Sequence, residues 1–363
     1  MINLPIVDSA ASQLYFPGCS PSDRETAEID RAREIIRGLY RDRHEAFWVN
    51  YSGGKDSTLL LQLVSEVILQ ERERERERAS KPVIVCYSNT PYDYPPKIAY
   101  INRQLDRLKT VAAFNEIVVS SAPPEESILS RICGTGYPAP NFTYRYCTKA
   151  HKVVPARIIQ RKRSDQFGGL ITLTGTRKDE STKRLRRLTA SGAPREMVTF
   201  RKKPTPIYES SPIADVSTSA VWSYLTRIGS FAWGGDVDEL SCLYKDITKN
   251  RDGCWICTVA AESSFVDGDT PRGRIRRYLR EMSADRRERC VTRTDKQRER
   301  LAQGYASGLF TIAARKKIFE FIKAVEAESG EQFITPEEER FIRDKWQEEM
   351  TDDRDIRDHG RRD

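Results

Sequence analysis

Ser52-Gly53-Gly54-Lys55-Asp56-Ser57 is the stretch on which the fold of this chain turns. Ala46 to Tyr51, just before it, is a short apolar run that predicts a buried strand. After it, Leu59, Leu60, Leu63, Val64, Val67 and Ile68 recur at helical spacing. Two glycines between a strand and a helix let the backbone approach an anion closely. The helix start adds unpaired N–H groups and the positive end of the dipole. Lys55 contributes a point charge, and Ser52 and Ser57 contribute hydroxyls. Each residue also has a plainer reading: glycines for a turn, Ser57 as a cap, Asp56 as a first-turn acid. All of these coinciding beside a lysine is a poor explanation. The pattern is not the GxxxxGK[ST] loop. It predicts an anion site with Lys55 and Asp56 as candidate catalytic residues.

Working outward, residues 25–40 read as a helix, with Ile29, Ile35 and Ile36 supplying an apolar stripe. Strands are expected at 83–87, 117–119 and 170–174, and a helix where Ile98, Ile101, Leu105 and Leu108 recur. Strands alternating with helices argue for an α/β fold, a parallel sheet with helices on both faces. Beyond about 230 the pattern is helical, with a loop-rich, cysteine-bearing part near 231–265 and helices at 313–327 and 336–350. The run from Glu71 to Arg78 alternates Glu and Arg and has no apolar face, so it reads as a solvated helix end or an insertion. Residues 351–363 are polar and read as a flexible tail.

The chain has 363 residues, a formal charge of +8 and 31% charged residues. This length suggests about two domains. The composition excludes collagen-like and wholly disordered classes. No apolar run approaches the ~18 residues of a membrane span. Met1-Ile2-Asn3-Leu4-Pro5 begins no secretory signal, so a cytoplasmic location is expected. The positive charge is concentrated. Lys183–Lys203 holds eight Lys/Arg against one acid, and Arg272–Arg300 holds twelve against five. The rest of the chain is net acidic. Two basic stretches suggest a polyanion such as nucleic acid, gripped through backbone phosphates. Aromatics are sparse within them, so base stacking is not signalled.

Eight cysteines stand at 19, 86, 133, 147, 242, 254, 257 and 290. In a reducing compartment they are not expected to form disulfides. Cys254-Trp255-Ile256-Cys257 is a C-x-x-C pair, and alone it leaves iron–sulfur cluster, zinc and redox disulfide open. Cys86, in a strand, reads as a core residue, as do Cys19 and Cys133. His44, His151 and His359 form no cluster.

The loop Ser52 to Ser57 resembles the signature of the PP-loop ATP pyrophosphatases, a superfamily that includes tRNA thiolases, GMP synthetase and phosphoadenylylsulfate reductase relatives. Further segments sharpen the resemblance. Gly136-Tyr137-Pro138-Ala139-Pro140 and Tyr144-Arg145-Tyr146-Cys147-Thr148 come first. Gly175-Thr176-Arg177-Lys178-Asp179-Glu180-Ser181, Ser211-Pro212-Ile213-Ala214-Asp215 and Gly253-Cys254-Trp255-Ile256-Cys257-Thr258 follow. In that order they resemble the DNA phosphorothioation sulfurtransferases, the DndC-type proteins and their single-strand Ssp-system relatives, over about 46–350.

The resemblance implies a PP-loop domain at 25–230 after an N-terminal segment 1–24, then an iron–sulfur-bearing helical region at 231–350. It implies ATP and Mg²⁺ as cofactors, with ATP held by Ser52, Gly53, Gly54, Lys55, Asp56, Ser57, Asn89, Thr90, Gly175, Arg177, Glu180, Ser181 and Arg184. It implies a 4Fe–4S cluster on Cys147, Cys242, Cys254 and Cys257, with Cys290 in reserve. DNA, a cysteine desulfurase as sulfur donor and other proteins of the phosphorothioation system are the implied partners, and no membrane. Val216 departs from the family, whose members often carry Trp there. A tRNA thiolase, a phosphoadenylylsulfate reductase-like enzyme and a zinc-braced nucleic-acid-binding protein are the competing readings.

Overall fold

The computed structural model describes residues 22–74, 81–141, 144–190, 198–201, 205–244, 253–257 and 269–359. The chain divides into two compact units that interleave along the sequence. The first comprises residues 1–88, 95–120 and 156–251, and the second 89–94, 121–155 and 252–363.

The first unit is built on a six-stranded sheet. Its strands are β1 (Ala46–Tyr51), β2 (Val83–Ser88), β3 (Glu116–Ser120), β4 (Leu170–Leu173), β5 (Val198–Arg201) and β6 (Ile207–Ser210). Their order across the sheet is β3-β2-β1-β4-β6-β5. Five strands run parallel, and β5 pairs antiparallel to β6 at one edge. This is the expected α/β architecture. β1 is central, with Trp48 opposite Ile84 on one side and Thr172 on the other. Its residues Phe47, Trp48 and Val49 are buried, as a strand flanked on both sides in a covered parallel sheet requires. Helix α4 (Val154–Phe167) contributes Ala156, Ile159 and Phe167 to the face bearing Trp48, Ile84 and Cys86.

Helix α1 (Asp23–Asp42) starts at Ser22 in a capping box with Glu25 and buries Ile29, Ala32 and Ile36. Helix α2 (Lys55–Arg74) follows the loop and is buried almost all round from Ser57 to Ser65. That makes it a central helix of the core and not a surface helix with one apolar stripe. Its end corrects one expectation. Glu71, read as solvated, is 1% exposed and accepts two hydrogen bonds from the Arg41 guanidinium at 2.6 and 2.9 Å. Those bonds hold its carboxyl below the usual range. Residues 75–80 of the Glu/Arg run lie outside the described residues. Helices α3 (Pro95–Leu108), α5 (Thr182–Ala190), α6 (Thr218–Ile228) and α7 (Val237–Ser241) complete this unit.

The second unit is helical: α8 (Pro271–Ala284), α9 (Asp295–Ala302), α10 (Ile312–Ser329) and α11 (Pro336–His359), with π-helical turns at Ser130–Gly134 and Thr148–Val153. Its core joins Ile256, Ile275, Leu279, Phe310, Ile318, Ile322, Ile342 and Trp346. Arg315 is buried within it, bonding the Phe310 and Gly134 carbonyls at 3.1 and 3.0 Å and Glu349 at 2.8 Å. Helix α11 carries on past Met350 to His359, and 360–363 lie outside the described residues. No described helix is long and apolar enough to cross a membrane.

Candidate active site

The loop lies where β1 ends and α2 begins, at the carboxyl edge of the parallel strands, the side on which open α/β sheets bind ligands. Ser57 closes it. Its Oγ accepts from the backbone N–H groups of Ser52 and Gly54, each at 3.2 Å, and donates to the Gly54 carbonyl at 2.9 Å. The hydroxyls of Ser52 and Ser57 lie 3.1 Å apart. Gly53 has φ +65°, and a Cβ there would lie 1.9 Å from the Ile101 Cδ1. Backbone conformation and packing therefore both require glycine. Gly175 backs the loop from the next strand's exit. A Cβ there would stand 3.0 Å from the Ser57 nitrogen and 3.1 Å from the Asp56 carbonyl carbon.

Lys55 is 7% exposed. Its backbone N–H donates to the Tyr244 hydroxyl at 2.9 Å, and its Nζ lies 5.6 Å from the centre of the same ring. That Nζ is 3.3 Å from Asp56 Oδ2. The other Asp56 oxygen accepts from Arg177 Nε at 2.6 Å. Arg177 is 1% exposed and fully committed within the protein: Nη1 donates to the Val216 carbonyl and Nη2 to Thr218 Oγ1, both at 3.0 Å. Its fork thus orients Asp56 and ties the loop to the start of α6. Val216 serves through its carbonyl, which any residue offers, so the departure from Trp leaves this contact intact. Glu180 accepts from the Arg177 N–H at 3.2 Å and pairs with Arg184. The Ser181 hydroxyl accepts from the Arg184 N–H at 3.3 Å. Burial lowers the Arg184 pKa, and the neighbouring Arg187 and Arg177 charges add to this while Asp56 opposes it. Asn89 and Thr90 belong to the second unit, where Asn89 donates to Ser121 Oγ at 3.3 Å and Thr90 is buried.

This glycine-serine loop with a lysine at the helix start sits inside a longer match. Residues 46–230 fit the family model of the phosphoadenosine phosphosulfate reductase domain, half of the chain. The chain belongs to that family. Among solved structures it is similar to phosphoadenylyl-sulfate reductase from Candida auris (16% identity, 65% of this chain and 97% of that one, TM-score 0.38). It is also similar to the U34-tRNA thiolase NcsA from Methanococcus maripaludis, solved with its [4Fe-4S] cluster (11% identity, 85% and 82%, TM-score 0.36). A third is NAD+ synthetase from Burkholderia pseudomallei (14% identity, 90% and 96%, TM-score 0.37). No curated protein matches the chain.

The cysteines of this reductase-family chain are distributed over both units. Cys147, Cys254 and Cys257 belong to the second and Cys242 to the first. Burial, and next the Cys257 thiol, raise the Cys147 pKa. Cys254 Sγ lies 3.4 Å from Asp93 Oδ1, and Trp255 N donates to the Tyr92 carbonyl at 2.8 Å. Among the described residues no three Cys, His, Asp or Glu side chains gather closely enough to hold a metal. Cys290 is exposed, with its thiol 3.7 Å from the Arg287 carbonyl. Cys86 is buried in β2, which pushes its thiol up to about 12, and Cys133 is buried too. Cys19 lies outside the described residues. His151 is 2% exposed, edge-on to Tyr92 at 5.7 Å, with no hydrogen-bond partner at either ring nitrogen among the described residues.

Sequence reasoning missed Tyr244, Thr218 and the Val216 carbonyl. Tyr244 lies 189 residues from Lys55, and nothing in its local pattern marks it.

Proposed function

We propose that the chain is an ATP pyrophosphatase that adenylates a backbone phosphate of DNA and so prepares it for sulfur insertion. The observation that carries the reading is the Ser57-closed loop at the start of α2, with Lys55 as its cation. The order of the Gly136–Pro140, Tyr144–Thr148 and Gly253–Thr258 segments favours DNA as the acceptor.

In this reading a DNA phosphate oxygen attacks the α-phosphorus of Mg·ATP. A P–O bond forms there, and the bond to the β-phosphate breaks with its electron pair leaving on pyrophosphate. Lys55, at the positive end of α2, meets that charge, an arrangement in which a single donor is typically worth about 3 kcal/mol. Arg177 acts through Asp56, fixing the carboxylate that stands beside Lys55 Nζ. Most of the rate comes from alignment and charge neutralisation. A thiol reductant releases hydrosulfide from the persulfide of a cysteine desulfurase; the hydrosulfide attacks the adenylated DNA phosphorus, a P–S bond forms, and the P–O bond to AMP breaks with its electron pair leaving on AMP. No step is assigned to a cluster.

The test is product analysis with DNA and with tRNA as acceptors. With a sulfur donor present, the reading expects AMP and pyrophosphate in equal amounts, stimulated by DNA. Stimulation by tRNA alone moves the assignment to a thiolase, and ADP with phosphate refutes adenylation.

A further inference from the structure

The second unit holds a cavity of about 350 Å³, within the usual range of small-ligand clefts. Arg289, Lys296 and Arg300 line it together with Asn141, Tyr144 and Gln297, and no carboxylate does. The basic stretch and the aromatic-rich segment before Cys147 meet here, although they are some 150 residues apart in sequence.

The wall is built and not a loose surface. Arg289 is anchored by carbonyls: Nε donates to Gly308 at 3.2 Å and Nη1 to Ser283 at 2.8 Å. Those bonds orient the guanidinium without neutralising it. Burial lowers its pKa, and the nearby Arg300 charge lowers it further, the strain an anion would relieve. Gly308, at φ +91°, lets Leu309 pair with Val291: a Cβ there would lie 2.4 Å from the Val291 carbonyl oxygen. Arg300 lies over the Tyr305 ring at 5.9 Å. Tyr144, which also lines the cavity, is 40% exposed and stacked on Tyr137, with centroids 6.0 Å apart and planes at 12°. Arg131 lies over Tyr137 at 5.1 Å.

We infer that this cleft grips a single-stranded nucleic-acid segment, one phosphodiester on Arg289, Lys296 and Arg300 and an adjacent unstacked base against Tyr144. Three cations without a carboxylate suit a phosphodiester, and an exposed ring already stacked on a second ring suits a base face. The inference extends the proposed reaction by naming how its polyanion is held, and its test reads binding apart from turnover.

The experiment measures fluorescence anisotropy of a labelled oligothymidylate with the full chain. Lys296→Glu, Arg300→Glu and Tyr144→Ala are expected to weaken binding about tenfold each. Arg298→Glu is the control: Arg298 is on the same helix but pairs with Asp295 and does not line the cavity. It is expected to cost less than about threefold. Equal losses at 298 and at the cleft positions reduce the effect to general surface charge and overturn the inference. So does unchanged binding in the cleft variants, or tighter binding of duplex than of strand. Pyrophosphate release from ATP is followed in the same wild-type sample. Strand binding that depends on the cleft, with no nucleic-acid-stimulated pyrophosphate release, keeps the cleft and removes the adenylation reading.

Discussion

Ser57 spends its hydroxyl on the loop's own backbone, so within the signature Lys55 is the side chain left to meet ligand charge. Lys55→Ala should reduce pyrophosphate release by about 100-fold or more, read from initial rates at saturating ATP. Tyr244→Phe keeps the ring beside Lys55 Nζ and removes the hydroxyl that accepts from the Lys55 N–H. It should cost about 1 kcal/mol of stability and raise KM for ATP several-fold, with kcat little changed. An unaltered KM would remove Tyr244 from the site. Gly53→Ala forces a Cβ into Ile101 at positive φ and should cost about 2 kcal/mol or more, measured as a urea midpoint. At this scale the loop was legible in the sequence because its chemistry is local. The role of Arg177 was only half legible. A GxRxxES pattern predicts an arginine near phosphates, but not that its guanidinium would be shared among Asp56, Val216 and Thr218, 39 to 121 residues away.

Among the elements, β1, the loop and α2 were readable from an apolar run, a glycine pair and helical periodicity. β5 and β6 were not, since they are four residues each, Pro204 and Pro206 stand between them in the sequence, and β5 runs against the sheet. The π-helical turn Thr148–Val153 also lacks a sequence signal, yet it buries His151. Burial lowers the His151 pKa from 6.5 to about 4. The folded state therefore binds fewer protons than the unfolded state between those values. Stability should fall as pH drops from 6.5 to 4, by at most about 3 kcal/mol from this group. His151→Phe should flatten that part of a stability–pH profile measured by urea unfolding. Parallel profiles for the two proteins would contradict this account.

At the scale of the molecule, the chain crosses between its two units several times, and composition does not reveal which unit a crossing segment joins. That is why 89–94 and 121–155 were read with the sheet region, although they pack with the C-terminal helices. Helix α5 exposes Lys183, Arg184, Arg186 and Arg187 around the single buried Leu188. If this face meets DNA phosphates, Arg186→Glu should reduce the slope of log K against log salt by about one. An unchanged slope would exclude the helix from the contact. The central claim is the transfer of AMP to DNA, and α-labelled ATP incubated with DNA in the absence of any sulfur donor tests it most directly. The account predicts label on the DNA, pyrophosphate released in equal amount, and neither with Lys55→Ala. Label found only in ADP, with DNA unlabelled, would contradict it.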